Sequence, residues 1–465
     1  MTQRNDDAVP AASASDPQGD PPLRRTIGLA QMYFYGLGGM LGAGIYGLVG
    51  KAAGELGNTV WLAFLVSMVA ALLTGLSYAS IGSRYPRAAG AAYVTQRAYH
   101  RPGLTYVVGL AVMCSALTSV ATQSRVVAEN LRSLGLFEDI PATVLAVGFL
   151  LAMSGIVFRG IRECMWLNVV CTTVEALGLL LVIAVGAQYW GSANLLETPP
   201  SADGGETGIG MVLLMQGAVL TFFSFIGFED TLNIAEEVKN PRRTLPLGII
   251  MAMASATLIY MAVSITAVSV LPWQDLAAAA GPLTAVVEKA APWFPPVAFL
   301  GITVFAVTNT ALLNYVTASR LAYGMARQGL LPAPLARVHH VRRTPHIAVL
   351  ALLVVVIGLS MLGNITQLAS ATVLLLLLVF TVVNGALLVL KMRPNEPAGG
   401  FEVPMFVPAL GGAVCLTLLV NRVATGDWKA PLIAGVILLA ILALYLTLRP
   451  QAKEDNDVPS GLPAE

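Results

Sequence analysis

Three carboxylates fall where an otherwise apolar chain should carry none. Glu175 sits in the middle of the apolar run 167–183, with Thr172 and Thr173 within a turn and no Lys or Arg beyond the start of that run. An ionisable side chain inside a membrane span is costly and points to function. Glu175 is therefore a candidate proton carrier or a counter-charge for a cation; the plainer reading is a neutral Glu hydrogen-bonded between helices. Glu229 and Asp230 directly follow Gly227 and Phe228 in a second apolar run, where acceptors can hold an unwound segment together or meet a substrate amine. Thr308, Asn309, Thr310 and Asn314 form a polar run in a further apolar stretch, suited to interhelical hydrogen bonds or to an ion pathway. No phosphate-binding loop, HExxH or GxSxG pattern occurs. No enzyme activity, cofactor or metal is expected.

The elements that must position these groups are two interrupted helices. Residues 36–48 contain six glycines in thirteen positions, inside the first long apolar segment. Glycine is poorly suited to a helix interior, costing about 0.8–1 kcal/mol relative to Ala. The second stretch, 221–237, is an apolar run interrupted by Gly227, Glu229, Asp230 and Asn233. Unpaired backbone groups cannot face lipid, so such breaks survive where they line a polar cavity and become ligands themselves. The plainer reading of the first stretch is close helix packing through Gly38 and Gly42, spaced as GxxxG. Phe222, Phe223, Phe225 and Phe228 surround the second break, as packing groups or as a gate over a substrate.

Composition sets the class: 56% hydrophobic residues and 11% charged over 465 residues describe a polytopic membrane protein. The criterion of about 20 apolar residues per span predicts twelve helices, at 27–50, 59–82, 104–131, 141–158, 163–189, 209–236, 245–271, 297–327, 346–363, 366–391, 404–423 and 430–449. With both termini on one side, twenty Lys and Arg fall on that side and six on the other, which predicts cytoplasmic termini in the cell membrane. Residues 1–24 and 450–465 read as disordered cytoplasmic tails, the first without the apolar core of a signal peptide. Residues 88–100 form an amphipathic interval at the inner face and 276–291 an Ala-rich outer segment, each a connector, a brace or a lid. Cys114, Cys164, Cys171 and Cys415 read as small apolar residues. Glu236 and Glu237 are expected at the inner surface, capping or pairing across an inner gate, and Arg125 with Glu129 as a structural pair.

The breaks fall in the first and sixth predicted helices. Five helices is an odd number, so the second five enter from the opposite side, the arrangement of an inverted repeat. This divides the chain into 25–190, 205–393 and an added helix pair at 400–449.

From about Ile27 to Met392 the chain resembles the amino acid-polyamine-organocation superfamily of permeases. The resemblance is carried by Gly39 to Tyr46, by Phe222 to Glu229 continuing through Ala235 to Pro246, and by Ala318 to Pro332. It implies the LeuT-type all-α fold of twelve spans, with discontinuous helices one and six, and a secondary amino acid transporter working by alternating access. By the same resemblance the amides of Gly42, Ala43 and Gly44 bind the substrate carboxylate, and carbonyls near Phe223, Ser224 and Ile226 take its amino group. Phe223 falls at the position of an aromatic gate and Glu229 at an acidic position common in the family. The chain departs at Glu175, where a sodium-independent branch carries a lysine in place of a sodium ion. A carboxylate there cycles a proton or helps Thr308 hold a cation. The expectation is sodium-independent proton symport or exchange of an amino acid. The alternatives are a polyamine or amine permease, with Glu175 and Glu229 as counter-charges, and a substrate sensor on a permease scaffold.

Overall fold

The structure is a computed structural model describing residues 25–87, 90–133, 137, 139–199, 217–218, 221–279, 281–362, 365–425, 428–448 and 450. Both predicted tails, part of the predicted sixth helix (209–216 and 219–220) and the side chains of Ala43, Glu129 and Phe223 lie outside the described residues.

The predicted first span is two helices. α1 (Leu29–Met40) stops at Leu41, and α2 (Ala43–Leu56) restarts after Gly42. α3 (Val60–Arg84) returns, α4 (Gly90–Tyr99) replaces the amphipathic interval, and α5 (Pro102–Ser133), α6 (Ala142–Arg159) and α7 (Ile161–Gly186) complete the first half. The predicted sixth helix is not a continuous α-helix where it is described. Tight 3₁₀ turns run over Phe223–Phe225 and Glu229–Glu237, separated by Gly227 at φ 129, a left-handed value that favours glycine. α8 (Pro241–Val270) follows. Then come α9 (Trp273–Ala278) and α10 (Pro282–Ala290), which fall in the predicted outer segment, and α11 (Pro296–Arg327). The chain ends in α12 (His346–Leu362), α13 (Ile365–Met392), α14 (Phe406–Thr425) and α15 (Lys429–Leu448).

Among the described residues, eight helices are long and apolar enough to cross a membrane, and two shorter apolar helices lie at His346–Met361 and Ala434–Leu448. Their outer surface is apolar: Leu177, Leu258, Val354 and Leu439 are exposed, Leu258 at 73%. Exposed apolar surface on this scale needs lipid rather than water around it. Inside the bundle, α1 packs on α7, α8 and α11, and α5 packs on α11 and α13. Gly50 and Gly54 on α2 press against Leu276, Ala277 and Pro282 of this predicted outer segment, which therefore rests on the half-helix beyond the first break.

Candidate functional site

The two breaks meet backbone to backbone. A Cβ on Gly227 would lie 2.5 Å from the carbonyl carbon of Gly39, and one on Gly39 would lie 3.3 Å from the Gly227 oxygen. At Gly227, whose φ is also left-handed, only glycine permits that approach, and at Gly39 the fit is tight. A side chain on Gly44 would meet Ser224 Cα at 2.7 Å, and one on Gly42 would run into Thr310 Oγ1 of α11. The glycine cluster therefore serves a chain crossing as well as a break.

Tyr260 of α8 staples the crossing. Its buried hydroxyl lies against two carbonyls that the breaks leave without helical partners, those of Met40 and of Ser224, the latter at 2.8 Å. Glu229 folds back to accept the Gly227 amide at 2.8 Å, so this carboxylate closes the second break.

Next to the crossing lies a cavity of about 40 Å³, lined by Gly39, Met40, Gly42 and Gly44 from the first break and by Ile226, Gly227, Glu229 and Asp230 from the second. Ser115, Ser119 and Gln123 of α5, Thr310 and Asn314 of α11 and Thr372 of α13 complete its polar wall. Asn314 Nδ2 donates to Ser119 Oγ at 3.3 Å and to the Thr310 carbonyl at 2.9 Å, which ties two walls together.

The structure brings together Gly42, Gly44, Ile226 and Glu229 of the sequence-derived set. Ala43 begins α2 between the two lining glycines. The Ser224 carbonyl accepts from Tyr260 at 2.8 Å, and Ser224 is not among the lining residues. Phe222, Phe225 and Phe228 are buried in packing contacts: Phe228 stacks on Phe380 with centroids 5.4 Å apart, and Phe225 abuts Tyr260.

Glu175 lies behind the cavity wall, fully buried. Its Oε2 accepts from Asn309 Nδ2 at 3.5 Å, while Oε1 has no partner among the described residues. Asn309 also donates to Thr172 Oγ1 at 2.9 Å, and Thr172 bonds Asn168 at 3.1 Å. Gly38 of α1 presses on this cluster, within 2.5 Å of Asn309 Nδ2 and 2.8 Å of Asn168 Oδ1 for an added Cβ. Asn309, one residue beyond Thr308, is thus the α11 group against Glu175. Sequence reasoning included Asn309 in the polar run but took Thr308 as the cation partner from the resemblance; which member of the run turns toward Glu175 is set by the fold.

A second assembly joins the start of α1 to the end of the 3₁₀ segment. The amides of Thr26 and Ile27 donate to the Glu237 carbonyl at 2.9 and 3.0 Å, and the Lys239 amide donates to the Ile27 carbonyl at 2.8 Å. Glu237 is fully buried against the equally buried Arg320, with Nε to Oε2 at 3.3 Å, and Glu236 meets Arg327 at 3.3 Å. Sequence reasoning missed Arg320 as the partner of Glu237.

An interrupted helix and a 3₁₀ segment crossing beside a polar cavity, inside a bundle with an apolar outer surface, define a multi-pass membrane protein, and its relatives make it a transporter rather than an enzyme. Residues 27–456 match the amino acid permease family, and the chain belongs to it. It is 27% identical over 424 residues to the branched-chain amino acid permease BcaP of Bacillus subtilis, covering 87% of this chain and 89% of that one. It is 28% identical over 417 residues to the methylthioribose transporter of the same organism, covering 85% and 87%. Against human cationic amino acid transporter 4 the identity is 30% over 403 residues, covering 81% of this chain and 61% of that longer relative.

Proposed function

We propose that the protein is a secondary amino acid transporter of twelve spans in the LeuT-type inverted repeat, working by alternating access with both termini cytoplasmic. The observation that carries the proposal is the backbone crossing at Gly39 and Gly227, which brings the α2 amides and the second break to one polar cavity. The start of α2 presents amides without helical acceptors and the positive end of a helix dipole. The substrate carboxylate binds at Gly42, Ala43 and Gly44, and its amine meets the Ile226 and Gly227 side of the cavity, with Glu229 behind it. Phe223 is proposed as the gate.

Glu175 carries the coupling proton. It is the buried carboxylate whose second oxygen lacks a partner among the described residues, and its amide and hydroxyl neighbours include no cation. Transport is then sodium-independent. The family and the relatives named as amino acid permeases or transporters favour an amino acid here, as does the site chemistry, although one relative is named for methylthioribose. The test is competition: each amino acid that binds is compared with the amine left after removal of its carboxylate. The proposal expects the amine to compete at least 100-fold more weakly, the scale on which lost charge-assisted hydrogen bonds act. Equal competition overturns the carboxylate site.

A further inference from the structure

A second, larger cavity of about 630 Å³ lies away from the crossing, at the face where α1 begins. Its wall comes from four places in the chain. Thr26 and Gln31 belong to the start of α1; Arg159, Gly160, Ile161, Arg162 and Glu163 form the α6–α7 joint; Lys239 follows the 3₁₀ segment Glu229–Glu237; and Val341, Arg342 and Arg343 belong to the loop before α12.

Five cations face this space and one acid accompanies them. An excess of basic residues on one face is what membrane topology alone would produce. On the same face Arg84, Arg97, Arg327, Lys391 and Arg393 are each matched to Glu402, Glu396 or Glu236. Arg159, Arg162, Lys239, Arg342 and Arg343 take part in none of the ion pairs among the described residues. Arg242 and Arg243 also lie outside the ion pairs among the described residues, so what separates these five from that background is their convergence on one cavity.

Two of these cations, Arg342 and Arg343, are also held in place by the protein. Arg342 stacks over Phe158 with its guanidinium carbon 5.1 Å from the ring centroid. The loop carrying Arg342 and Arg343 is a closed turn: the His339 amide donates to the Thr344 carbonyl and the Arg343 amide to the His339 carbonyl, each at 2.8 Å. Arg343 is held there at φ 55, a left-handed conformation uncommon for a residue with a side chain. Gly160, at φ 145, turns the chain so that the 26-residue α7 starts at the cavity wall. The first amides of that helix have no intrahelical acceptors and carry the positive end of its dipole.

We propose that this cavity binds a phosphate-bearing anion, through Arg159, Arg162, Lys239, Arg342, Arg343 and the α7 amides, at a site separate from the substrate cavity. The chemistry is shared by the headgroup of an anionic phospholipid and by a soluble phosphate, since guanidinium forks and helix N-termini recognise the same oxygens in both.

The test uses the full chain in nanodiscs of neutral phosphatidylcholine and follows its thermal denaturation, because a ligand that binds the folded state raises the midpoint with concentration. One arm adds inorganic phosphate against chloride at matched ionic strength; the other replaces phosphatidylcholine stepwise by phosphatidylglycerol. Saturable stabilisation in the first arm alone assigns a soluble phosphate, in the second alone a lipid headgroup, and in both the common phosphate group. Arg162→Gln with Arg343→Gln is expected to weaken the half-saturation point roughly 30-fold, on the scale of about 5-fold per cation removed. Arg242→Gln with Arg243→Gln removes equal charge outside the cavity wall and is expected to change nothing. Should the first double variant fail to fold, Arg159→Gln with Lys239→Gln probes the cavity from its other walls with the same expectation. No stabilisation in the wild type, or the same loss in the Arg242 and Arg243 variant, overturns the site.

Discussion

Single residues carry two separable duties at the crossing, spacing and chemistry. Gly44 is a spacing residue, because its missing side chain leaves room for Ser224 Cα at 2.7 Å. Gly44→Val forces the two breaks apart, and overpacking of this kind costs about 1–3 kcal/mol. Substrate affinity in that variant should fall roughly 10- to 100-fold at unchanged expression. Isothermal titration reads this directly, and wild-type affinity would remove the first break from the site. The glycine positions were legible in the sequence because residue type alone signals a break. Tyr260 was not. One tyrosine in an apolar helix looks like any other, and only the fold places its hydroxyl beside both Met40 and Ser224. The Asn309 contact with Glu175 was half legible, since composition marks the polar run but not which member turns toward α7.

At the scale of elements, the latch between the start of α1 and the 3₁₀ segment is the second device the sequence hinted at. Glu236 and Glu237 were readable as inner-gate acids, yet their burial depends on α11 bringing Arg320 and Arg327 into reach. Removing one member of a fully buried pair leaves an uncompensated charge, at a cost of about 3–5 kcal/mol, whereas removing both charges costs much less. Arg320→Gln and Glu237→Gln should each lower the thermal midpoint, and the double variant should recover part of that loss. Strictly additive losses would show that the pair acts as two independent groups. A second brace joins elements far apart in sequence: Glu402, in the loop before α14, accepts from Arg84 of α3 and Lys391 of α13. Burial pushes the Glu402 carboxyl up, but hydrogen bonds from Arg84, Lys391 and the Gly399 amide outweigh it and hold it at about 2 against an ordinary 4.5. A lowered folded value means the brace contributes fully above pH 4.5 and is lost as pH falls toward 2. Denaturation of wild type and Glu402→Gln across that window should therefore converge as the pH falls; a constant gap would exclude the charge as its cause.

For the whole molecule, most helix boundaries were legible because a lipid solvent leaves little freedom: predicted 104–131, 141–158 and 297–327 are found as Pro102–Ser133, Ala142–Arg159 and Pro296–Arg327. What hydropathy could not supply was the contact between distant segments, since periodicity records which face is apolar and not what covers it. The crossing of Gly39 with Gly227 and the pairing of Ile27 with Val238 both belong to that class. Together they describe a molecule whose two breaks share one cavity, with the start of α1 joined to the end of the 3₁₀ segment and a buried carboxylate behind the cavity wall. The most direct test is uptake of labelled amino acids and polyamines into proteoliposomes without sodium, with and without an inward proton gradient, for wild type and Glu175→Gln. The account predicts that the gradient stimulates uptake of an amino acid class in the wild type and that this response disappears in the variant while the protein stays folded. Gradient-stimulated uptake that survives in Glu175→Gln, or transport of polyamines alone, would contradict it.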